Sequence, residues 1–316
     1  MADPALSVLP QSSIQELILG EPPDRVPGED HSPGVPTIPS TPQLIPVPRV
    51  RAVWHISPIR GGSQPHLVRC SDRRFYVLKL INNPQGKRIL ANELLSYHLA
   101  SLLGLPVVPC AIVEIDKFTV ELNPGMAIHW RDRTNPCEPG LVFGSRYEPP
   151  FLMPRQPGKS LDENAIPACL MRFVENRSDF RGMLVFDTWV SNLDHRQVLY
   201  ASRMKGRNFR VYMIDNGLSF CGTRWDLPYH ASSNLYHNRS VYDGIEKIED
   251  FEPWLTRLEC AIQRPALEAI AAAVPREWCV GECGQLLGLI EKLEQRRELV
   301  RGQIIARYFA QGRFRG

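Results

Sequence analysis

The feature that most constrains this chain is a pair of short apolar segments, residues 198–203 and 209–214, which predict a β-hairpin. The polar, glycine-containing residues 204–208 between them predict its turn. An acidic residue stands just outside each strand, Asp194 before the first and Asp215 after the second. Because the two open ends of a hairpin are neighbours, we expect these carboxylates to lie side by side. Two carboxylates at one sheet end suit a magnesium ion that carries phosphates.

The loop around the first aspartate reads Asn-Leu-Asp-His-Arg-Gln over residues 192–197. A carboxylate placed like Asp194 can accept a hydrogen bond from an incoming hydroxyl and orient it for in-line attack. Gln197 offers an amide oxygen to a metal, and Asp215 offers a carboxylate. The structural alternative is that Asp-Asn-Gly forms a turn and Asn-x-Asp caps a helix.

A lysine and a glutamate upstream predict a buried ion pair. Lys79 lies in the apolar strand 75–80, where a lysine either points to solvent or needs a partner. Glu93 lies on the next predicted helix, so the order of sheet and helix can bring it to Lys79, with the ammonium facing nucleotide phosphates. The alternative is an exposed lysine and an exposed helical glutamate.

Residues Gly61, Gly62 and Ser63 form a predicted turn just upstream of the lysine strand. Glycines let the backbone approach phosphate oxygens closely, and successive amides can cradle an anion. The turn is not a P-loop, because no Gly-Lys-Ser/Thr follows it. An ordinary connection between two strands is the structural alternative.

The remaining pattern predicts an α+β chain with a sheet and one helix in its first half and a mainly helical second half. We expect an irregular connection over residues 122–160. The predicted strands of the first half are 51–56, 66–70, 74–81, 107–115 and 117–121, its helix is 88–103, and the later helices are 166–175, 180–191, 251–262, 265–273 and 284–311.

Composition restricts the partners of this 316-residue chain. Its net charge is only +3, which predicts no direct binding of nucleic acid. Its apolar runs are too short to cross a bilayer, so we expect no membrane insertion and no signal peptide. Eight scattered cysteines favour a reduced, cytoplasmic protein. Residues 1–48 are rich in proline and predict a disordered tail.

Taken together, the motifs resemble the bacterial HipA-like kinase domain, a branch of the protein-kinase-like fold. The resemblance covers roughly residues 50–310. The motifs that carry it are Gly-Gly-Ser-Gln (61–64), Tyr-Val-Leu-Lys (76–79), Asn-Glu-Leu-Leu (92–95), Phe-Gly-Ser-Arg-Tyr (143–147), Leu-Val-Phe-Asp-Thr-Trp (184–189), Asn-Leu-Asp-His-Arg-Gln (192–197) and Met-Ile-Asp-Asn-Gly (213–217).

The resemblance implies a two-lobed kinase that binds ATP and Mg²⁺ in a cleft. It implies that Lys79 contacts the phosphates and is held by Glu93, that Asp194 is the catalytic aspartate, and that Asp215 binds magnesium. The turn at Gly61, Gly62 and Ser63 would cover the phosphates. The metal-binding asparagine of most kinases is replaced by Leu199, and Gln197 is its expected substitute.

The predicted function is therefore ATP-dependent phosphoryl transfer to a hydroxyl by a HipA-like Ser/Thr protein kinase, with an unknown protein or small molecule as acceptor. A pseudokinase or nucleotide-binding scaffold on the same fold is the alternative, as is a lipid or small-molecule kinase. The predicted domains are a tail (1–48), an N-terminal nucleotide-binding lobe with an antiparallel sheet and the connection (49–150), and a helical C-terminal lobe that carries the catalytic loop (151–316).

Overall fold

A computed structural model describes residues 44–147, 168–202, 208–228, 235–279 and 283–312. All of them belong to one compact unit that begins at Pro39. Residues 1–43 of the predicted tail (1–48) lie outside the described residues. At the end of that predicted tail, Leu44 and Val47 pack against the core, so the prediction of disorder does not hold there. Residues 204–207 of the predicted hairpin turn and residues 148–160 of the predicted connection also lie outside them.

The first half contains a closed barrel of five strands. Gly144 lies inside its wall, where an added Cβ would approach Leu78 to 2.8 Å and Val113 to 3.0 Å, so only glycine lets the neighbouring strands pack this closely. The strands pair in the order β1 (Arg49–Pro58), β2 (His66–Cys70), β3 (Phe75–Lys79), β7 (Gly140–Tyr147) and β4 (Cys110–Ile115).

Three predictions for the first half are wrong. The sheet is mixed rather than antiparallel, because β1 closes the barrel by pairing in parallel with β4. The predicted strand 117–121 is the helix α2 (Lys117–Leu122), since the Asp116 side chain caps it by accepting the N–H of Thr119 at 2.6 Å. The predicted irregular connection contains β7 and a small hairpin, β5 (Ala127–His129) and β6 (Thr134–Pro136).

The predicted helix of the first half is confirmed as α1 (Arg88–Leu102), which packs against β7. Gly104 follows the end of this helix with φ of +73°, which suits glycine, and the N–H of Leu105 bonds to the carbonyl of Ala100 at 3.0 Å. Every residue from Ile89 to Ala100 is buried, so its polar side chains need partners inside the protein.

The hairpin prediction is confirmed in the second half. Strands β8 (Gln197–Ser202) and β9 (Phe209–Ile214) pair antiparallel, with Gln197 opposite Ile214. The residues that precede β8 and follow β9 therefore leave the hairpin at the same end. This end lies beside the C-terminus of helix α3 (Asp179–Val190), since the N–H of Phe220 bonds to the carbonyl of Val190 at 2.7 Å.

Helix α3, whose residues from Gly182 to Val190 are all buried, packs against several other helices of the second half. Two predictions for these helices are wrong. The predicted helix 166–175 is a 3-10 helix, Ala168–Phe173, and the predicted helix 284–311 is three pieces. The observed helices are α4 (Trp254–Ala261), α5 (Arg264–Ala272), α6 (Cys283–Arg296) and α7 (Val300–Ile304), with a π turn at Ile305–Phe309 and short 3-10 helices at Arg239–Tyr242, Ile248–Phe251 and Arg276–Trp278.

Within the described residues, no helix combines the length and the apolar character needed to span a bilayer.

Candidate active site

Lys79, the last residue of β3, lies at the centre of a buried charge cluster. Its Nζ atom contacts Oε1 of Glu93 on α1 and lies 2.6 Å from Oδ1 of Asp215, which follows β9. The lysine is only 8 % exposed. Three residues that are far apart in the sequence are therefore brought together, as the sequence predicts for Lys79 with Glu93 and as the resemblance implies for all three.

Opposing effects set the ionisation of this cluster. Burial by itself lowers the pKa of Lys79, but the charges of Glu93 and Asp215 outweigh burial and hold that pKa above its usual value. Burial likewise tends to raise the pKa of Asp215, yet Lys79 and, less strongly, Arg196 hold it below its usual range. Both Lys79 and Asp215 are thus charged at neutral pH.

Helix α1 also fixes the chain that follows Asp215. Both carboxylate oxygens of Glu93 accept the backbone N–H of Asn216 at 3.1 Å. The buried side chain of Asn92 donates to the carbonyl of Gly217 at 2.7 Å and accepts the indole N–H of Trp225 at 2.7 Å. These bonds hold Asp215 in its left-handed conformation, with φ of +53°, pointing at Lys79.

Asp194 lies half-buried in the loop before β8. Its Oδ1 accepts the N–H of His195 at 2.8 Å, and its own N–H bonds to the side-chain oxygen of Asn192 at 3.1 Å. Gln197 donates its amide N–H to Oδ2 of Asp194 at 3.2 Å, and a side-chain hydrogen bond from the same glutamine helps to lower the pKa of Asp215. Gln197 therefore links the two aspartates at one end of the hairpin.

This orientation bears on the predicted metal role of Gln197. Its amide nitrogen, not its oxygen, faces the carboxylates. To bind a metal through its oxygen, the Gln197 amide must rotate by a half turn. This rotation exchanges the oxygen and the nitrogen and needs no additional space.

The glycine turn makes contacts of a different kind. Ser63 is buried, and Gln64 pairs with the backbone of His129, donating at 2.7 Å and accepting at 2.8 Å. A Cβ on Gly62 would lie 2.9 Å from the amide nitrogen of Gln85, in the loop before α1. These contacts connect the turn to that loop and to β5 rather than to Lys79 itself.

Two charged residues that the sequence reasoning did not assign hold the Asp194 loop. Asp187 on α3 accepts hydrogen bonds from both Nε and Nη2 of Arg196, and the bond from Nε is 2.9 Å long. Both side chains are almost fully buried. Arg196 also donates to the side-chain oxygen of Asn216 at 2.8 Å, and Asp187 accepts from Asn192 at 3.1 Å. A sequence signal existed, because Asp187 is a charge inside the apolar stretch 183–190.

The site has few protein ligands for a metal of its own. Among the described residues, no group of three or more His, Cys, Asp or Glu side chains is placed to hold a metal ion. Asp215 keeps 38 % of its side chain exposed beside Lys79 and Gln197. Because Mg²⁺ in phosphoryl-transfer sites is usually held by one or two carboxylates together with substrate phosphates, this donor set fits a magnesium nucleotide.

A family comparison agrees with this geometry. The profile of the HipA-like kinases matches residues 56–302, well over half of the chain. The chain belongs to the HipA-like kinase family. The resemblance noted from its motifs is thereby confirmed, and kinase-type phosphoryl transfer is the class of activity that the membership supports. No curated protein matches the chain.

Several solved structures are similar to this HipA-like kinase at low sequence identity. The Golgi casein kinase with Mn/ADP bound matches with a TM-score of 0.43 and 11% identity, over 84% of this chain and 75% of that chain. The Helicobacter pylori proinflammatory kinase CtkA matches with a TM-score of 0.48 and 13% identity, over 84% and 99%. Hydra Fam20 with sugar matches with a TM-score of 0.43 and 12% identity, over 84% and 87%.

Proposed function

We propose that this HipA-like kinase transfers the γ-phosphoryl group of ATP to the hydroxyl of a serine or threonine in a protein acceptor, with Mg²⁺ as cofactor. The observation that carries the proposal is the position of the Lys79 ammonium between Glu93 and Asp215, at the hairpin end where Asp194 also lies. A kinase site needs these charges in one place, and family membership gives the class of reaction.

Lys79 binds and orients the phosphates in this proposal. An ammonium has three N–H donors, of which Glu93 and Asp215 take one each, so the third is left for a phosphate oxygen. Glu93 fixes the direction of the ammonium because it is itself held by Asn216. The lysine is charged at neutral pH, as electrostatic stabilisation of phosphate oxygens requires.

Asp215, with Gln197 as a second oxygen donor, is the proposed magnesium ligand. Bound Mg²⁺ neutralises the negative charge of the phosphate oxygens. Asp215 is ionised at neutral pH and partly exposed, so it has a lone pair free beyond its bond to Lys79. The turn at Gly61, Gly62 and Ser63 is proposed to cover the phosphates with its backbone amides.

Asp194 is the proposed catalytic residue for the acceptor. Its carboxylate would accept a hydrogen bond from the acceptor hydroxyl and hold that proton as the oxygen attacks in line. The bonds from His195 and Gln197 fix the carboxylate, and Asn192 ties its backbone to α3 through Asp187. We further propose that residues 49–150 form the nucleotide-binding lobe and residues 151–316 the lobe with this catalytic loop.

A nucleotide-binding scaffold without turnover is the second candidate. It is favoured by the amide nitrogen of Gln197 facing both aspartates and by Leu199, rather than asparagine, in β8. The two candidates differ in turnover and not in binding. A lipid or small-molecule kinase differs in the chemistry of the acceptor only.

Transfer from γ-labelled ATP with Mg²⁺ to a library of Ser/Thr peptides, and to the chain itself, separates these candidates. Asp194→Asn is the test variant, and Asp226→Asn, which changes an exposed carboxylate paired with Arg224, is the matched control. We expect label on phosphoserine or phosphothreonine with wild type and the control, and at least about a hundredfold less with Asp194→Asn.

Nucleotide binding is measured in parallel as the rise in melting temperature that ATP and Mg²⁺ produce. A rise in wild type without any transfer supports the scaffold. Equal transfer by wild type and Asp194→Asn, or no rise at saturating ATP, contradicts the kinase proposal. Label on lipid or small-molecule hydroxyls but not on peptides moves the acceptor to the other class of kinase.

A further inference from the structure

A single side chain of α1, Asn92, is enclosed by the chain that follows Asp215. It has no exposed surface, and its oxygen accepts the indole N–H of Trp225 at 2.7 Å. Its nitrogen lies within hydrogen-bond distance of three backbone carbonyl oxygens, those of Gly217 (2.7 Å), Ser219 (3.1 Å) and Gly222 (3.0 Å). An amide has one acceptor oxygen and two N–H donors, so these partners satisfy the whole side chain. Residues 217–225 form what we call the carbonyl turn.

The carbonyl turn has a backbone conformation that its residues do not favour by themselves. Three of its non-glycine residues have left-handed φ angles: Phe220 at +60°, Cys221 at +59° and Trp225 at +57°. Residues of this kind persist only where the surrounding contacts hold them, and they cluster at functional sites. On one side the turn is held by the end of α3, because the N–H of Phe220 bonds to the carbonyl of Val190 at 2.7 Å. On the other side it is held by α1.

Two residues of α1 contact Trp225. Besides the bond to Asn92, the guanidinium carbon of Arg88 lies 4.9 Å from the centroid of the Trp225 ring. Arg88 also donates to the carbonyl of Thr223 at 2.7 Å. Arg88 and Asn92 are one helical turn apart and therefore lie on the same face of α1. Trp225 is buried, and its carbonyl accepts Nζ of Lys292 on α6 at 3.1 Å, so its ring has a fixed position against that face.

Asn92 and its neighbour Glu93 cannot move independently, since both belong to one helix. A rotation of α1 that breaks the bond to Trp225 also turns Glu93 away from Lys79, which Glu93 contacts. We propose that Trp225 is a positioning residue for nucleotide binding, which holds α1 through Asn92 so that Glu93 aims the Lys79 ammonium at the phosphates. The inference rests on the proposed role of Lys79 as the phosphate contact. It adds that this contact depends on a neutral bond from a residue outside the charge cluster.

The first test compares two tryptophans that each donate one buried indole hydrogen bond. Trp225→Phe keeps an aromatic ring and removes the N–H, and Trp278→Phe does the same to the bond with the carbonyl of Leu141 on β7, at 2.7 Å. Isothermal titration of the full chain with ATP and Mg²⁺ gives the affinities. We expect Trp225→Phe to bind ATP about tenfold more weakly than wild type, which is the effect of one hydrogen bond, and Trp278→Phe to stay within about twofold.

A purely structural role predicts a different result. It lowers the melting temperature of both variants and leaves their ATP affinities equal, and that outcome overturns the inference alone. A wild-type chain that binds no ATP overturns the proposed function and this inference with it. The route through Glu93 is tested by a double variant. Glu93→Gln removes the charge that α1 aims, so adding Trp225→Phe should weaken ATP binding by less than about twofold more, and a further tenfold loss contradicts the route.

A measurement on wild type does not depend on how the variants fold. Because coupling between two sites is reciprocal, a bond that strengthens ATP binding about tenfold is itself strengthened about tenfold by ATP. Hydrogen exchange of the Trp225 indole N–H, followed by NMR, should therefore slow about tenfold when ATP and Mg²⁺ saturate the chain, and exchange at Trp278 should slow by less than about twofold. Equal slowing at both tryptophans overturns the proposal.

Discussion

The Nζ atom of Lys79 lies 2.6 Å from Oδ1 of Asp215, although 136 residues separate them in the chain. This contact joins the barrel to the open end of the hairpin. Glu93 contacts the same ammonium and the N–H of Asn216, so the lysine and the chain after Asp215 share one partner on α1. The contribution of this cluster to the free energy of unfolding and the proposed chemistry of the site therefore depend on the same atoms.

Removing the lysine should be costly to the fold. Lys79→Met leaves Glu93 buried without its counter-charge, and we expect the free energy of unfolding to fall by about 3–5 kcal/mol. Urea unfolding measures the loss. Lys117→Met, at an exposed lysine, is the control and should stay within about 0.5 kcal/mol of wild type. In Lys79→Met/Glu93→Gln the loss should be smaller than the sum of the two single losses, and additive losses would mean that the pair is not coupled.

Much of this cluster follows from local patterns. A lysine in the apolar strand 75–80, a glutamate on the next helix and an aspartate after β9 place three side chains on known sides of known elements. The hairpin register then brings residues 194–197 to the same end as Asp215. The pairing of Lys79 with Glu93 and the hairpin end are thus expected from local pattern. The meeting of Lys79 with Asp215 is tertiary, and it was expected from the resemblance to the HipA-like kinases.

The parts that were missed depend on tertiary structure. Asp187 is unusual in an apolar helix, but its pairing with Arg196 depends on how α3 packs against the Asp194 loop. Strand β7 lies among prolines, glycines and arginines that obscure its apolar pattern, and barrel closure is what selects it. The apolar pattern of residues 117–121 fits both the strand period and the helix period. The Asp116 side chain caps the segment and favours the helix.

The paired hydrogen bonds that the Arg196 guanidinium donates should matter more for activity than its charge does. Arg196→Lys keeps the charge but cannot donate two parallel bonds to Asp187 while reaching Asn216. Since this arginine positions the Asp194 loop, we expect kcat to fall by about tenfold to a hundredfold with little change in the KM for ATP. Steady-state kinetics separate the two constants. Arg224→Lys, at an exposed arginine, should leave both unchanged, and a fall in ATP affinity alone for Arg196→Lys would contradict the positioning role.

Gly217 should be intolerant of a side chain. A Cβ there would lie 3.1 Å from Nζ of Lys79 and 3.4 Å from Oε1 of Glu93, so Gly217→Ala crowds the ion pair itself. We expect a loss of about 1–3 kcal/mol in stability and a smaller rise in melting temperature with ATP and Mg²⁺. Gly288→Ala, in α6 with open space around the glycine, should be neutral or stabilising by up to about 1 kcal/mol. Equal ATP-induced rises in wild type and Gly217→Ala would argue against Lys79 as the phosphate contact.

Acid should destabilise the fold through its buried neutral histidines. Burial lowers the pKa of His98 from 6.5 to about 4, so between these values the unfolded chain binds a proton that the folded chain does not, and stability falls as the pH falls through this window. His98→Leu removes the contribution of His98 to this loss of stability. Between pH 7 and pH 5, its free energy of unfolding should therefore decrease by about 2 kcal/mol less than that of wild type.

Urea unfolding at the two pH values, together with titration of the His98 ring by NMR, measures that difference. His237→Leu, at an exposed histidine, is the matched control and should lose as much stability as wild type on acidification. The wild-type loss will not vanish in His98→Leu, because burial also lowers the pKa of His66 to about 4. An identical loss in wild type and His98→Leu, or a His98 ring that titrates near 6.5 in the folded chain, would show that the α1 histidine is solvated rather than buried and neutral.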